Sequence, residues 1–284
     1  VSGLHQKLHP YLLLLMPKQF EGHCCAIAHR GHYLATKAQA TRRDWLRNKV
    51  IRFFADKKLK IVVLAPTVAQ YLKANSIESR LDIQWIYHPY LLDDETEPTE
   101  LTTKPVHFAF LGRTSKGKGF DIFFGFSNDI SDTISSRDVE FTLIGRLQWL
   151  PKEYSANGAV RLADSGGRIS RDELADHLQK VSYLVIPYMT TVYGKIKTTG
   201  IFFDSVKYLK PIIALKSDDL AHYFTLFGDL GVLCESVEEM KHVLLRIIHD
   251  PPKKDYAEQQ ARLLKARHFL HHEHQKEAFR ALWD

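Results

Sequence analysis

The sequence predicts an α/β protein with doubly wound parallel sheets arranged in two lobes, the first of them incomplete. Three observations carry this. From residue 106 onward, short runs of aliphatic and aromatic residues alternate with helical patterns, as strand–helix–strand units of a parallel sheet do. An acidic, threonine-rich stretch bounded by prolines, "LDDETEPTELTTKP" at 92–105, separates this region from an earlier one of similar character, and reads as a linker. The length, 284 residues, suits two domains of ordinary size.

The first lobe, residues 1–100, offers "HCCAIAH" (23–29), "KIVVLAP" (60–66) and "DIQWIYHPY" (82–90) as buried strands, with helical patterns near 39–55 and 67–75. Three strands make a thin sheet, so the lobe is expected to be small or to have its first strands upstream of Val1. The second lobe, residues 101–253, opens with "VHFAFLG" (106–112) as a strand and 118–128 as a helix. "VEFTLIG" (139–145) and "AVRLA" (159–163) follow as strands. "SRDELADHLQKV" (170–181) starts with a capping box, Ser170 with Glu173 three residues on. "SYLVIPY" (182–188) is a strand, 199–209 a helix, "PIIAL" (211–215) and "GVLC" (231–234) strands. "SVEEMKHVLLRII" (236–248) carries a second capping box, Ser236 with Glu239. A long helix over 254–282 is expected to pack back toward the first lobe.

The charge balance narrows the partners. A net charge of +6 with fifteen histidines and a pI near 9.0 favours anionic partners. Three cysteines, two adjacent, make no disulfide framework, which points to a reducing compartment and a cytoplasmic location. The aliphatic run "YLLLLM" (11–16) is far short of the ~20 residues of a membrane span, and no signal peptide is visible.

The chemistry begins at "FAFLGRTSKGKGFD". Gly112 to Lys118 reads G-x-x-x-x-G-K, most of a Walker A loop, but Gly119 stands where the magnesium-binding Ser or Thr belongs. A working Walker loop also wants a second strand ending in Asp, and Asp164 is the one candidate. The alternative needs no metal: Arg113 offers a planar fork of donors and Lys118 a point charge, while Gly117 and Gly119 let backbone approach closely. Solvated cations on a glycine-rich turn are the plainer reading. Further on, Thr198, Thr199 and Gly200 stand where a helix should start, and helix-start N–H groups hold anions. Asp204, one turn later, can accept from a ribose diol. Two anion-holding elements at strand carboxyl ends fit a crevice at the sheet's switch point.

These segments, "FLGRTSKGKGFD", "TLIG", "ISRDELADHLQKVSYLVIPY" and "TTGIFFDSVKYLKPIIA", resemble the donor-binding domain of GT-B glycosyltransferases, particularly the retaining family 4, over residues 105–250. The resemblance implies two Rossmann-like lobes and transfer of a sugar from a UDP- or GDP-linked donor to an acceptor hydroxyl, without a cofactor or metal. It assigns Gly112, Arg113, Lys118, Thr199, Gly200 and Ile201 to the donor diphosphate, and Asp204, where the family has Glu, to the ribose. The family's E-x7-E motif would place its first carboxylate at 196, which is Ile196 here; the sugar and the stereochemistry stay open. "AIAHRGHYL" and "RRDWLRNKVIRFFADKKLKIVVLAPTVAQYL" are similar to the acceptor lobe, which puts His29 against the donor sugar as the catalytic candidate. The family's glycine-rich N-terminal loop has no counterpart in this chain. Two alternatives remain: a non-catalytic relative or partner subunit that keeps the nucleotide site, and a nucleotide-sugar epimerase, which would need further cleft carboxylates.

Other clusters are weaker. In "GHCCAIAHRGH" adjacent cysteines on a strand face opposite sides, against a shared metal. "HFLHHEH" puts His268 and His272 four apart on a helix, read as a solvated face. "TRRDWLRNKVIRFFADKKLK" (41–60) holds eight cations, with Leu46, Val50 and Phe53 in one stripe flanked by Arg43, Arg47 and Lys49. It is either cover for its own sheet or a peripheral contact with anionic lipid at the inner membrane face, beside a saccharide or lipid-linked acceptor. No recognition motif supports nucleic acid as a partner.

Overall fold

The structure is a computed structural model; it describes residues 25–28, 49, 52, 55–56, 60–75, 79–92, 96–151, 160–163, 169–188 and 198–282. The chain divides into two compact units, one of residues 1–89, 192–198 and 272–284 and the other of residues 90–191 and 199–271. Both are α/β with parallel sheets, as the sequence predicts.

In the first unit, strands β1 (Cys25–Ala28), β2 (Lys60–Val63) and β3 (Asp82–Trp85) form a parallel sheet in that order. Helix α1 (Pro66–Asn75) crosses from β2 to β3 and buries Val68, Ala69 and Leu72 on one stripe. These meet Ile61, Val63 and Ile83 from one face of the sheet, while Val62, Leu64 and Ile86 look to the other. The third strand is shorter than "DIQWIYHPY" suggests, because backbone pairing ends at Trp85.

Among its described residues the second unit holds six parallel strands: β4 (Val106–Leu111), β5 (Val139–Ile144), β6 (Val160–Leu162), β7 (Tyr183–Ile186), β8 (Ile212–Leu215) and β9 (Gly231–Cys234). Their spatial order is β6-β5-β4-β7-β8-β9. The chain winds outward from β4 in one direction and from β7 in the other, so the switch point lies between β4 and β7. Helices α2 (Phe120–Ser131), α3 (Arg171–Gln179), α4 (Gly200–Tyr208), α5 (Asp218–Phe227), α6 (Val237–His249) and α7 (Lys253–Phe269) accompany the strands. Strands β7 and β8 are buried at every position, as strands covered by helices on both faces must be. The core is aromatic: Phe108 stacks between Phe141 at 5.6 Å and Tyr183 at 6.0 Å.

Capping explains several helix starts. Ser170 and Glu173 form the reciprocal box at α3. At α6 only half of the expected box forms: Ser236 accepts from the Glu239 amide, but the Glu239 carboxylate takes the amide of Glu235 instead. Helix α6 then buries Met240, Val243, Leu244, Ile247 and Ile248, the three-and-four spacing of one face.

Two expectations need correction. The 92–105 stretch is fastened rather than loose where it is described: the Thr99 amide donates to Gln260 Oε1 at 3.2 Å, the Thr96 carbonyl accepts from Arg267 at 2.9 Å, and Leu101 joins the core. It belongs to the second unit, which begins at Tyr90. The helix read over 254–282 is two helices. The first, α7, packs on α4 and α5 within the second unit; α8 (His272–Arg280) belongs to the first. There Phe279 and Leu282 rest against Val62, Leu64 and Ile86, the Leu282 carbonyl accepts from Lys60 Nζ, and Gln275 accepts from the Tyr87 amide at 3.1 Å. His268 and His272 therefore sit on different helices. The break needs no glycine or proline: Leu270, fully buried, leaves the helical path to reach the core.

Candidate functional site

The site grows from two glycines. Strands β4 and β5 end in Gly112 and Gly145, both with positive φ (102° and 137°). A Cβ on Gly145 would stand 2.4 Å from the Gly112 carbonyl oxygen, so the two strand ends approach as only backbone can. The Gly112 amide donates to the Ile144 carbonyl at 2.8 Å, and the Thr114 amide to the Arg146 carbonyl at 3.0 Å. Thr114, fully buried, accepts from the amides of Gln148 and Trp149 at 2.9 and 2.8 Å. The turn after β4 is thus stitched to the exit of β5.

From this anchor the chain makes one 3₁₀ turn, Lys116–Lys118, before Gly119 (φ 68°, ψ 29°) caps it and starts α2. Arg113 is exposed on the turn. Lys118 folds back: its Nζ lies 3.3 Å from where a Gly112 Cβ would be and 5.9 Å from the Tyr188 ring centre. Tyr188 follows β7, so Lys118 leans over the gap between β4 and β7, the switch point.

Beyond β7, Thr199 caps α4 with extended backbone (φ −96°, ψ 125°). Its hydroxyl is buried and, among the described residues, has no hydrogen-bond partner. A buried hydroxyl left without a partner costs roughly 1–3 kcal/mol. The first turn of α4 carries no acidic residue, Gly200 is exposed with open space at its Cβ position, and Ile201 is buried.

Asp204 lies one turn into α4. Burial pushes its carboxyl up, opposed by a hydrogen bond from Tyr90 Oη and by the charges of Lys207 and Lys118. The charge of Lys118 is the weakest of these influences on Asp204. Tyr90 was not foreseen. Its ring stacks on Phe203 at 5.6 Å, and its hydroxyl is raised out of the ionisable range by burial first and then by Asp204. Nothing in "YHPY" marks it in sequence.

The structure places Gly112, Arg113 and Lys118 on the turn after β4, and Thr199, Gly200, Ile201 and Asp204 at the cap and first turns of α4. His29, Ile196, Asp164, Cys24, the "YLLLLM" run and most of the 41–60 helix lie outside the described residues. Among the described residues no cluster of metal-ligating side chains occurs, and no helix is long and apolar enough to cross a membrane.

No protein-family model matches this chain, and no curated protein does. Solved structures do. TarM aligns over 96% of this chain and 52% of its own, with a TM-score of 0.67 and 14% identity. A S. aureus TarM mutant in complex with fondaparinux, α-GlcNAc-glycerol and UDP aligns over 97% and 54%, with a TM-score of 0.69 and 12% identity. A UDP-forming α,α-trehalose-phosphate synthase from Burkholderia xenovorans, in complex with glucose-6-phosphate, aligns over 98% and 72%, at a TM-score of 0.69 and 9% identity. The chain spans about half the length of TarM. At these identities the likeness is one of architecture, and the architecture is the GT-B fold with its Rossmann-like parallel-sheet lobes.

Proposed function

We propose that this chain is a glycosyltransferase that moves a sugar from a nucleotide-sugar donor to an acceptor hydroxyl, with the second unit holding the donor. The observation that carries this is the pairing at the switch point: Lys118 leans from the β4 turn toward Tyr188 and acts on Asp204 of α4. A cation suited to a diphosphate and a half-buried carboxylate suited to a diol support this reading, as does a helix start whose Thr199 hydroxyl has no partner among the described residues. Matched structures that hold UDP, or are UDP-forming, support the same reading. It agrees with the family 4 resemblance of the sequence.

In such a transfer the bond between the sugar carbon and the diphosphate oxygen breaks, and negative charge grows on the departing diphosphate. Arg113 and Lys118 supply fixed positive charge for it, and the first amides of α4 supply aligned dipoles. The proposal assigns this role to side chains and backbone, with no divalent ion. His29 remains the proposed group beside the sugar, and a contact of the basic 41–60 segment with anionic membrane belongs to the same proposal.

Calorimetry with UDP and GDP tests the site. Arg113→Ala and Lys118→Ala should each weaken binding by roughly 1.5–3 kcal/mol, the scale of a charged hydrogen bond, and the parent should bind equally in EDTA and in magnesium. Unchanged affinity in both variants would sink the diphosphate site; a magnesium requirement would overturn the metal-free account.

A further inference from the structure

The acceptor for the ribose is already occupied. Asp204 is a half-buried carboxylate, and the hydroxyl of Tyr90 donates to it. We propose that Tyr90 is a built-in cap on the nucleoside site: its phenol takes the place of a ribose hydroxyl on Asp204, and nucleoside binding exchanges one donor for the other. This rests on the donor-site reading above and adds a residue that neither the sequence pattern nor the resemblance supplies.

Tyr90 is held at two points. Its ring stacks on Phe203 at an interplanar angle of 21°. Phe203 is fully buried and braced edge-on by Phe202 and Tyr223 at 5.3 and 6.0 Å. The platform fixes the ring, and the ring aims the hydroxyl. Burial and the neighbouring carboxylate keep the phenol protonated, so it stays a donor throughout the physiological range.

The chemistry of the exchange is like for like. A phenol and a ribose hydroxyl each present one O–H to a carboxylate oxygen, and a ribose diol presents two. Asp204 has a shorter side chain than Glu and is half-buried, and its carboxylate faces the Tyr90 hydroxyl. The ribose therefore meets the capped carboxylate and has to turn the phenol away. A cap of this kind lowers apparent affinity by the fraction of molecules left open.

The test is Tyr90→Phe, which keeps the stacked ring and removes the donor. UDP and 2′,3′-dideoxy-UDP are titrated calorimetrically against the parent, Tyr90→Phe, Asp204→Asn and the double variant. If the cap closes about nine molecules in ten, Tyr90→Phe binds UDP about 10-fold more tightly. That gain should vanish with the dideoxy nucleotide and in the Asp204→Asn background. Tyr90→Leu, which removes hydroxyl and ring together, should gain at least as much, and thermal melts verify that each variant is folded. Unchanged or weaker UDP binding by both Tyr90 variants overturns the cap, as does an equal gain with the dideoxy nucleotide. If Arg113→Ala and Lys118→Ala lose UDP while the Tyr90 variants gain nothing, the cap alone has failed. If UDP binds none of the proteins, parent included, the donor-site reading fails with it.

Discussion

Replacing Lys210 with methionine should stabilise this protein at neutral pH. Lys210 sits at the turn between α4 and β8 and is 2% exposed. Among the described residues its ammonium reaches the Thr99 hydroxyl and the Gln179 carbonyl, each at 3.4 Å, and no carboxylate pairs with it. Burial lowers its pKa from 10.5 to about 8. The unfolded chain therefore binds more protons than the folded one between about pH 8 and pH 10.5, and stability rises with pH across that window. Below it both states carry the charge and the whole cost of burial applies. A displacement of roughly 2.5 units corresponds to about 3 kcal/mol. Methionine fills similar space without charge, and the two long hydrogen bonds it forfeits offset little of this.

The Lys210→Met variant is thus expected to gain about 2–3 kcal/mol at pH 7, or roughly 5–10 °C in the melting of a unit of this size. Urea unfolding at pH 7 and pH 10 measures it. At pH 10 the parent lysine is mostly neutral when folded, so most of the gain should be gone. A gain that is the same at both pH values would refute burial of charge as its source. A destabilised variant at pH 7 would show that Thr99 and Gln179 hold the ammonium more strongly than their distances imply.

Two further outcomes follow from the site. Gly119→Ala should destabilise the second unit by roughly 2–3 kcal/mol, because alanine resists φ 68° and its Cβ would land 1.9 Å from the Pro187 carbonyl oxygen; denaturant unfolding beside a Gly125→Ala control, where the Cβ meets nothing within 4 Å, reads it. His29→Ala should leave nucleotide affinity intact while sugar transfer or donor hydrolysis falls about 10²–10⁴-fold, and full turnover in the variant would remove His29 from the chemistry.

The strand–helix alternation made the second unit legible in sequence, since fully buried parallel strands such as "YLVI" and "IIAL" leave little room for another reading. The turn between β4 and α2 was legible too, because its glycines and cations interrupt an otherwise apolar pattern. What escaped were features set by partners distant in the chain. Helix α5 went unread although Ser217 caps it and accepts from the Leu220 amide; its apolar stripe is short, and the stacking of Tyr223 on Phe202 at 4.0 Å supplies what local periodicity does not. The 92–105 stretch reads as a linker because its composition is polar, yet Thr99 is held by Gln260, whose own amide donates to the Leu209 carbonyl at 3.1 Å. Tyr90 is the extreme case, an ordinary residue after a proline whose meaning lies 114 positions away in Asp204.

The same geometry decides what the G-x-x-x-x-G-K turn is. A Walker loop needs a hydroxyl-bearing residue directly after its lysine, because that oxygen ligates magnesium. Here that position is Gly119, in left-handed backbone, with its α-carbon turned against the Pro187 carbonyl so closely that any Cβ would overlap it. Serine or threonine has no room there. The lysine before it bends over Gly112 and Tyr188 instead of extending past the helix start. The contact with Pro187 is also what draws the β4 turn onto the end of β7, and β7 leads to α4 with Thr199 and Asp204. Glycine at 119 is therefore a joint and not a damaged ligand: it brings a cationic turn beside a helix start across the switch point. The substitution that would restore the Walker consensus, Gly119→Ser, would force those two elements apart.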